Sequence, residues 1–262
     1  MTETRISFER RDGVALMGLN RSAKRNAFDV DMYAQLAKAL GDLQRDSTLR
    51  CGLLFGHGDH FTGGLELPQW LPFLRDGRMP PLPEGGLDPL RRPDQPCLEK
   101  PLVMAAQGWC LTIGMELMMA ADVRIAADDT RFAMLEVKRG IYPIGGATVR
   151  FIQEVGWGNA MRYLLTGDEL DAATALRLGF LQEVVPREQA LERAFELARR
   201  IAQQAPLGVR ATLLSGRQSQ GATEAAVFAG LLAEMARLMA TDDAAEGLRA
   251  FLERRNARFS GR

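Results

Sequence analysis

Leu102-Val103-Met104-Ala105-Ala106-Gln107-Gly108-Trp109-Cys110-Leu111-Thr112-Ile113-Gly114-Met115-Glu116-Leu117-Met118-Met119-Ala120-Ala121-Asp122-Val123-Arg124-Ile125-Ala126 is the stretch that decides the fold. Leu102 to Ala106 is a short apolar run and reads as a strand. Gln107-Gly108 turns the chain, Ile113 to Ala121 carries a helix, and Val123 to Ala126 returns as a strand. Strand, glycine turn, helix, strand is the order of a βαβ unit with parallel pairing. The helix is apolar nearly all round and so belongs in the interior. It nevertheless holds Glu116 in its first turn. A buried carboxylate costs several kcal/mol unless something compensates, and its pKa rises. The competing reading is a first-turn glutamate favoured by the helix dipole.

The same pattern runs outward in both directions. Val14 to Leu19 reads as a strand ended by Asn20-Arg21-Ser22. Asp29 caps a helix whose apolar face is Met32, Leu36, Leu40 and Leu43. Cys51 to Phe55 reads as a buried strand, broken by Gly56-His57-Gly58-Asp59. A short helix is predicted from Leu65, and Pro72 to Pro96, rich in Pro and Gly, is predicted to be an irregular wall or lid. From about Asn159 onward helix dominates: Met161–Leu165, Ala172–Leu178, Leu191–Ile201, Val227–Met239 and a charged terminal helix from Ala244 to Ala257. Leu181–Val185 is the last strand signal. The expectation is an α/β core over residues 1–200, followed by a helical region over 201–262.

Composition narrows the chemistry. The 262 residues are 47% hydrophobic and 25% charged, ordinary for a globular protein. Lys plus Arg and Asp plus Glu are 33 each, so no net field attracts nucleic acid or an anionic membrane. No apolar run approaches the roughly 20 residues a spanning helix needs, and the polar start Met1-Thr2-Glu3-Thr4-Arg5 is unlike a signal peptide. A cytoplasmic location is expected. Cys51, Cys97 and Cys110 form no CxxC pair, so neither a disulfide framework nor a zinc site is indicated. His57 and His60 are the only histidines and lack a third ligand, so no metal site is expected and most histidine-based triads are excluded. That leaves carboxylates and backbone.

Two segments share a design in which a strand enters a glycine-containing turn that opens a helix: Phe61-Thr62-Gly63-Gly64-Leu65 and Leu111-Thr112-Ile113-Gly114-Met115. Helix N-termini expose unpaired N–H groups and partial positive charge, and two of them converging on one oxygen make an oxyanion hole. Ordinary tight turns are the plainer reading. Glu136, beside Lys138 and Arg139, reads on its own as a solvated loop carboxylate.

Taken in order, these segments resemble the enoyl-CoA hydratase/isomerase (crotonase) superfamily from the first strand to the last residues. The resemblance is carried by Asn20 to Phe28, Phe61 to Leu67 and Gln107 to Leu117 with Ala121 to Ala126. It continues through Arg131 to Glu136 with Gly140, Pro143 and Gly145-Gly146-Ala147-Thr148, and through Glu246 to Arg255. It implies a crotonase-like spiral of ββα units with a C-terminal helical trimerisation region, in a homotrimer or dimer of trimers.

The resemblance also implies an acyl-CoA thioester as ligand, with no cofactor beyond the coenzyme A of the substrate. Backbone N–H groups of Gly63 and Ile113 would hold the thioester oxygen, with Glu116 acting on water and Glu136 on the α-carbon proton. Lys24, Arg25, Ala27, Thr62, Leu65, Glu66, Leu67, Trp109, Gly114, Leu135, Tyr142 and Phe251 are expected around the substrate, with Trp70 as a further acyl-pocket wall; the resemblance also implies that the terminal helix, through Phe251, Arg254 and Arg255, reaches the coenzyme site of a neighbouring subunit. Two glutamates favour hydration, since isomerases of the family keep only the second; the alternatives are an enoyl-CoA isomerase or other acyl-CoA enolate enzyme, and a non-catalytic acyl-CoA binding protein. Departures from the family pattern are Gly63 for alanine, Ile113 for glycine, Glu66 for aspartate and His60 for a basic residue. They bear on substrate identity more than on reaction class.

Overall fold

The computed structural model describes residues 3–204, 206–255 and 257. Asp12 and Gly13, both at positive φ, form the two-residue turn of a hairpin between β1 (Ile6–Arg11) and β2 (Val14–Leu19). After a 3-10 turn at Ser22–Lys24 comes α1 (Val30–Arg45), whose N-terminus is capped by the Asp29 carboxylate accepting from Met32 N–H at 2.7 Å. There follow β3 (Cys51–Gly56), α2 (Leu67–Arg75), β4 (Leu102–Ala106), β5 (Trp109–Leu111), α3 (Ile113–Ala120), β6 (Val123–Ala127) and β7 (Arg131–Ala133). The remainder is α4 (Ala147–Val155), α5 (Trp157–Thr166), β8 (Leu170–Asp171), α6 (Ala172–Arg177), β9 (Glu183–Val185), α7 (Ala190–Ala202), α8 (Pro206–Met239) and α9 (Asp242–Leu252).

The main sheet has the order β1-β2-β3-β4-β6-β9, and every pairing after the first hairpin is parallel. A second sheet, β5-β7-β8, is extended by isolated pairings of Thr62 with Cys110 and of Phe28 with Leu65. Each turn of chain thus adds a strand to the main sheet, a short extended piece to the second layer, and a helix. That is the expected ββα spiral. Strand alternation divides the core: Val14, Leu16, Leu53, Phe55, Val103, Ala105 and Ile125 face Ala194, Phe195, Ala198 and Ala202 of α7. The opposite face, including Met17, Leu19, Leu54 and Met104, joins the larger core with Met32, Leu36 and Met118.

Several sequence expectations shift. β1 is a half-exposed edge strand that the apolar pattern does not announce. β5 and β7 have three residues each, too few to show alternation. α2 starts at Leu67 rather than Leu65 and takes in Pro72, so the irregular segment begins after it. The terminal helix stops at Leu252 rather than Ala257, where Arg254 adopts φ +55° and Arg255 N–H donates to Ala250 C=O at 3.0 Å. No helix among the described residues is long and apolar enough to cross a membrane.

Candidate active site

The second layer brings the two glycine-containing turns together. Thr62 N–H donates to Trp109 C=O at 2.8 Å, and Leu111 N–H donates to Thr62 C=O at 3.1 Å. Thr62 Oγ1 donates to Asn26 C=O at 2.7 Å and accepts from Gly64 N–H at 3.1 Å. Gly114 lets α3 approach closely, since a Cβ there would lie 2.6 Å from Thr62 Cγ2. The first turn of the chain is pinned to the same place by Asn26, whose amide donates to His57 C=O and His60 C=O at 2.9 and 2.8 Å.

Between these turns and the C-terminal helices lies a cavity of about 90 Å³, room for several water molecules. Gly63, Leu65, Leu67, Leu74, Thr112, Glu116, Leu135, Glu136, Arg139, Ile141, Tyr142, Pro143, Ile144, Met235 and Phe251 line it. Both acids singled out from the sequence therefore meet in one space. Their settings differ. Glu116 Oε1 accepts from Gly145 N–H at 2.6 Å and from Ala147 N–H at 3.4 Å, at the N-terminus of α4. Burial pushes its pKa up, and those two donors and the Arg150 guanidinium pull it back toward the ionised form. Gly145 is needed for this approach, because a Cβ there would lie 2.6 Å from Glu116 Cδ.

Glu136 opens a 3-10 turn, Glu136–Arg139, and its Oε2 is buried with no hydrogen-bond partner among the described residues. Burial and then the negative charge of Glu116 push its pKa up, with Arg139 only partly opposing. The solvated loop reading of Glu136 is thus overturned: the turn tucks the carboxylate inward while Lys138 faces solvent. Burial raises both acids, and two like acids in one low-dielectric space are driven apart, so that a shared proton favours Glu136, which faces the Glu116 charge, over Glu116, which has the two backbone donors.

The amides also need reassignment. Gly63 N–H already donates to Arg25 C=O at 2.8 Å, which ties this segment to the first turn and leaves it no free donor. Leu65 N–H, two residues on, has no acceptor among the described residues, and neither has Ile113 N–H at the start of α3. Thr112, the residue before it, sits at φ +50°, ψ −111°, a strained conformation for a β-branched residue. Its N–H donates to Ala133 C=O at 2.8 Å, which holds the turn open at Ile113.

The other expected residues divide. Leu65, Leu67, Leu135, Tyr142 and Phe251 line the cavity. Trp109 does not: its ring is stacked on His60 at 4.7 Å, with the Arg25 guanidinium 4.8 Å away. Trp70 is core, its Nε1–H donating to Phe28 C=O at 2.8 Å. Glu66 pairs with Arg21, bracing the first turn against the glycine segment. Lys24 and Arg25 are exposed on that turn, and Ala27, Thr62 and Gly114 act as framework. Arg255 is engaged by Glu246 and Glu253, whereas Phe251 lies against its own chain. Sequence reading gave no role in the site to Gly145, Thr112 or Arg139, although each lies in a segment it singled out; the Gly145-Gly146 pair before a helix is the one signal that marks an anion seat. No group of three or more His, Cys, Asp or Glu suited to a metal occurs among the described residues.

The profile of the enoyl-CoA hydratase/isomerase family matches residues 9–262. An enoyl-CoA hydratase of Mycobacterium tuberculosis is 34% identical over 259 residues, covering 97% of this chain and 96% of that one. The 2,3-dehydroadipyl-CoA hydratase of Escherichia coli is 33% identical over 272 residues, covering 100% of both. A crystal structure of a probable enoyl-CoA hydratase/isomerase from Mycobacterium abscessus superposes with a TM-score of 0.80 at 44% identity, covering 100% of each chain. With its profile, its spiral of ββα turns and its paired glycine segments in agreement, the chain belongs to the enoyl-CoA hydratase/isomerase family.

Proposed function

We propose that the protein is an enoyl-CoA hydratase, adding water to the conjugated double bond of a trans-2-enoyl-CoA. The observation that carries this reading is the pair of buried glutamates in one cavity with room for several waters, one held by the backbone donors of α4 and the other with an oxygen, Oε2, that has no partner among the described residues. Water attack on C3 requires a base for the water, and Glu116 is the group suited to take that proton. Electron density from the double bond moves onto the thioester oxygen, where the free amides of Leu65 and Ile113 stabilise the enolate. Glu136 delivers its proton to C2, and the product carries hydroxyl on C3 and hydrogen on C2. A proton passing from Glu116 back to Glu136 restores the starting state. The hydratases among its relatives add support.

The test is loss of the conjugated thioester's ultraviolet absorbance on mixing with a trans-2-enoyl-CoA. Glu116→Gln and Glu136→Gln are each expected to lower turnover by about 10²- to 10⁴-fold. An effect of Glu136→Gln alone would replace hydration with double-bond isomerisation. Tight binding without turnover would leave a non-catalytic acyl-CoA binder, with Ile113 obstructing the thioester. We further infer a cytoplasmic homotrimer or dimer of trimers that uses residues 201–262 in assembly. Exposed Trp157 and Leu165 on α5 are consistent with an interface there as well. Sedimentation of the purified chain as a monomer would overturn it.

A further inference from the structure

We infer that Arg139 reads an anionic end group on the acyl chain, so that the preferred substrates are enoyl-CoA thioesters whose chain terminates in a carboxylate. The inference rests on the acyl-CoA reading of this cavity and deepens it. Apart from Glu116, Glu136 and Thr112 the wall is largely apolar, and Arg139 is the one cation among its described residues.

Arg139 is placed where it could form an ion pair with Glu136, yet the two make no direct contact and its charge only partly opposes the raised pKa of Glu136. Side chains three residues apart in a 3-10 turn eclipse one another, about 6 Å apart along the axis. A local ion pair would satisfy both groups, yet Glu136 Oε2 has no partner, and Arg139 forms no ion pair among the described residues. The guanidinium lies 4.8 Å from the Phe251 ring centre instead, and donates one hydrogen bond, Nη1 to Leu135 C=O at 3.2 Å. Backbone packing holds it there: a Cβ on Gly247 of α9 would collide with the Arg139 carbonyl, so α9 and the turn are in close contact. The remaining N–H groups have no partner among the described residues.

A wholly apolar chain would gain nothing from such a neighbour and would further desolvate it, a direction in which burial already lowers the Arg139 pKa. A chain carboxylate, by contrast, matches the guanidinium fork and offsets that desolvation with charge-assisted hydrogen bonds. It would also face two acids with no other cation in the wall to screen it. The spacing fits: Glu136 serves the α-carbon, and Arg139 stands roughly one 3-10 turn, about 6 Å, farther along the wall.

The experiment compares two trans-2-enoyl-CoAs of equal length, one ending in a methyl group and one in a carboxylate, with wild type, Arg139→Gln and Arg139→Lys. The expected result is a higher kcat/KM for the carboxylated chain. Its advantage should fall about ten- to a hundredfold in Arg139→Gln and be partly restored in Arg139→Lys. A wild type that favours the methyl-ended chain overturns the inference. So does an equal loss on both chains, which would place Arg139 on the coenzyme's phosphates or make it a tuner of Glu136. If wild type hydrates neither, the hydratase reading fails by itself, and calorimetric binding of the saturated analogues decides. A carboxylate preference lost in Arg139→Gln supports the inference, and no preference overturns it.

Discussion

Glu116 and Glu136 are chemically identical, and only their surroundings separate them. Gly145 N–H and Ala147 N–H favour charge on Glu116, while Glu136 faces that charge with an unpartnered oxygen. A carboxyl whose pKa is raised in the folded state binds a proton that the unfolded chain has released. Between the ordinary value of 4.5 and the raised one, the native state therefore holds more protons, and stability falls as pH rises. Glu136→Gln removes that penalty. Chemical denaturation should show wild type losing more than about 1 kcal/mol between roughly pH 5 and pH 8, with a flatter profile for the variant. Parallel profiles would mean that Glu136 titrates normally.

At the scale of elements, the site is made where helices begin. α3 starts at Ile113 only because Thr112 accepts a left-handed conformation that costs about 1–3 kcal/mol in a β-branched residue. Glycine would adopt it freely while losing roughly 0.5–1 kcal/mol to chain entropy. Thr112→Gly is thus expected to stabilise the fold by about 1 kcal/mol, a rise of a few degrees in the thermal midpoint. No rise, or a fall, would show that Thr112 packing outweighs the strain. α4 contributes in the same way from its own N-terminus, where Gly145 and Gly146 bring the backbone to Glu116.

At the scale of the whole molecule, the spiral supplies the acids and amides, and the C-terminal helices close the cavity over them. Met235 of α8 and Phe251 of α9 form part of its wall, although α9 lies more than a hundred residues from Glu136 in sequence. Phe251 is 44% exposed, so truncating it should cost the fold little. Phe251→Ala is expected to raise KM about fivefold, corresponding to about 1 kcal/mol of lost apolar contact, with kcat changed less. Steady-state kinetics check this, and an unchanged KM would remove α9 from the substrate path.

The order of strand, glycine turn and helix was legible from residues 102–126 because apolar runs and glycines act locally. Glu116 stood out for the same reason, a charge inside an apolar helix. Three-residue strands such as β5 and β7 left no periodic trace, and Glu136 beside Lys138 and Arg139 looked solvated, because inward and outward side chains alternate within one short turn. Nor did local pattern distinguish Leu65 from Gly63 as a free amide, since that depends on where the Arg25 carbonyl lies after folding. Sequence alone determined the order of the longer strands and helices and the residue types available for chemistry. Tertiary structure decided which amides remain unpaired and which acids share a cavity, because hydrogen-bond partners and burial come from segments distant in the chain.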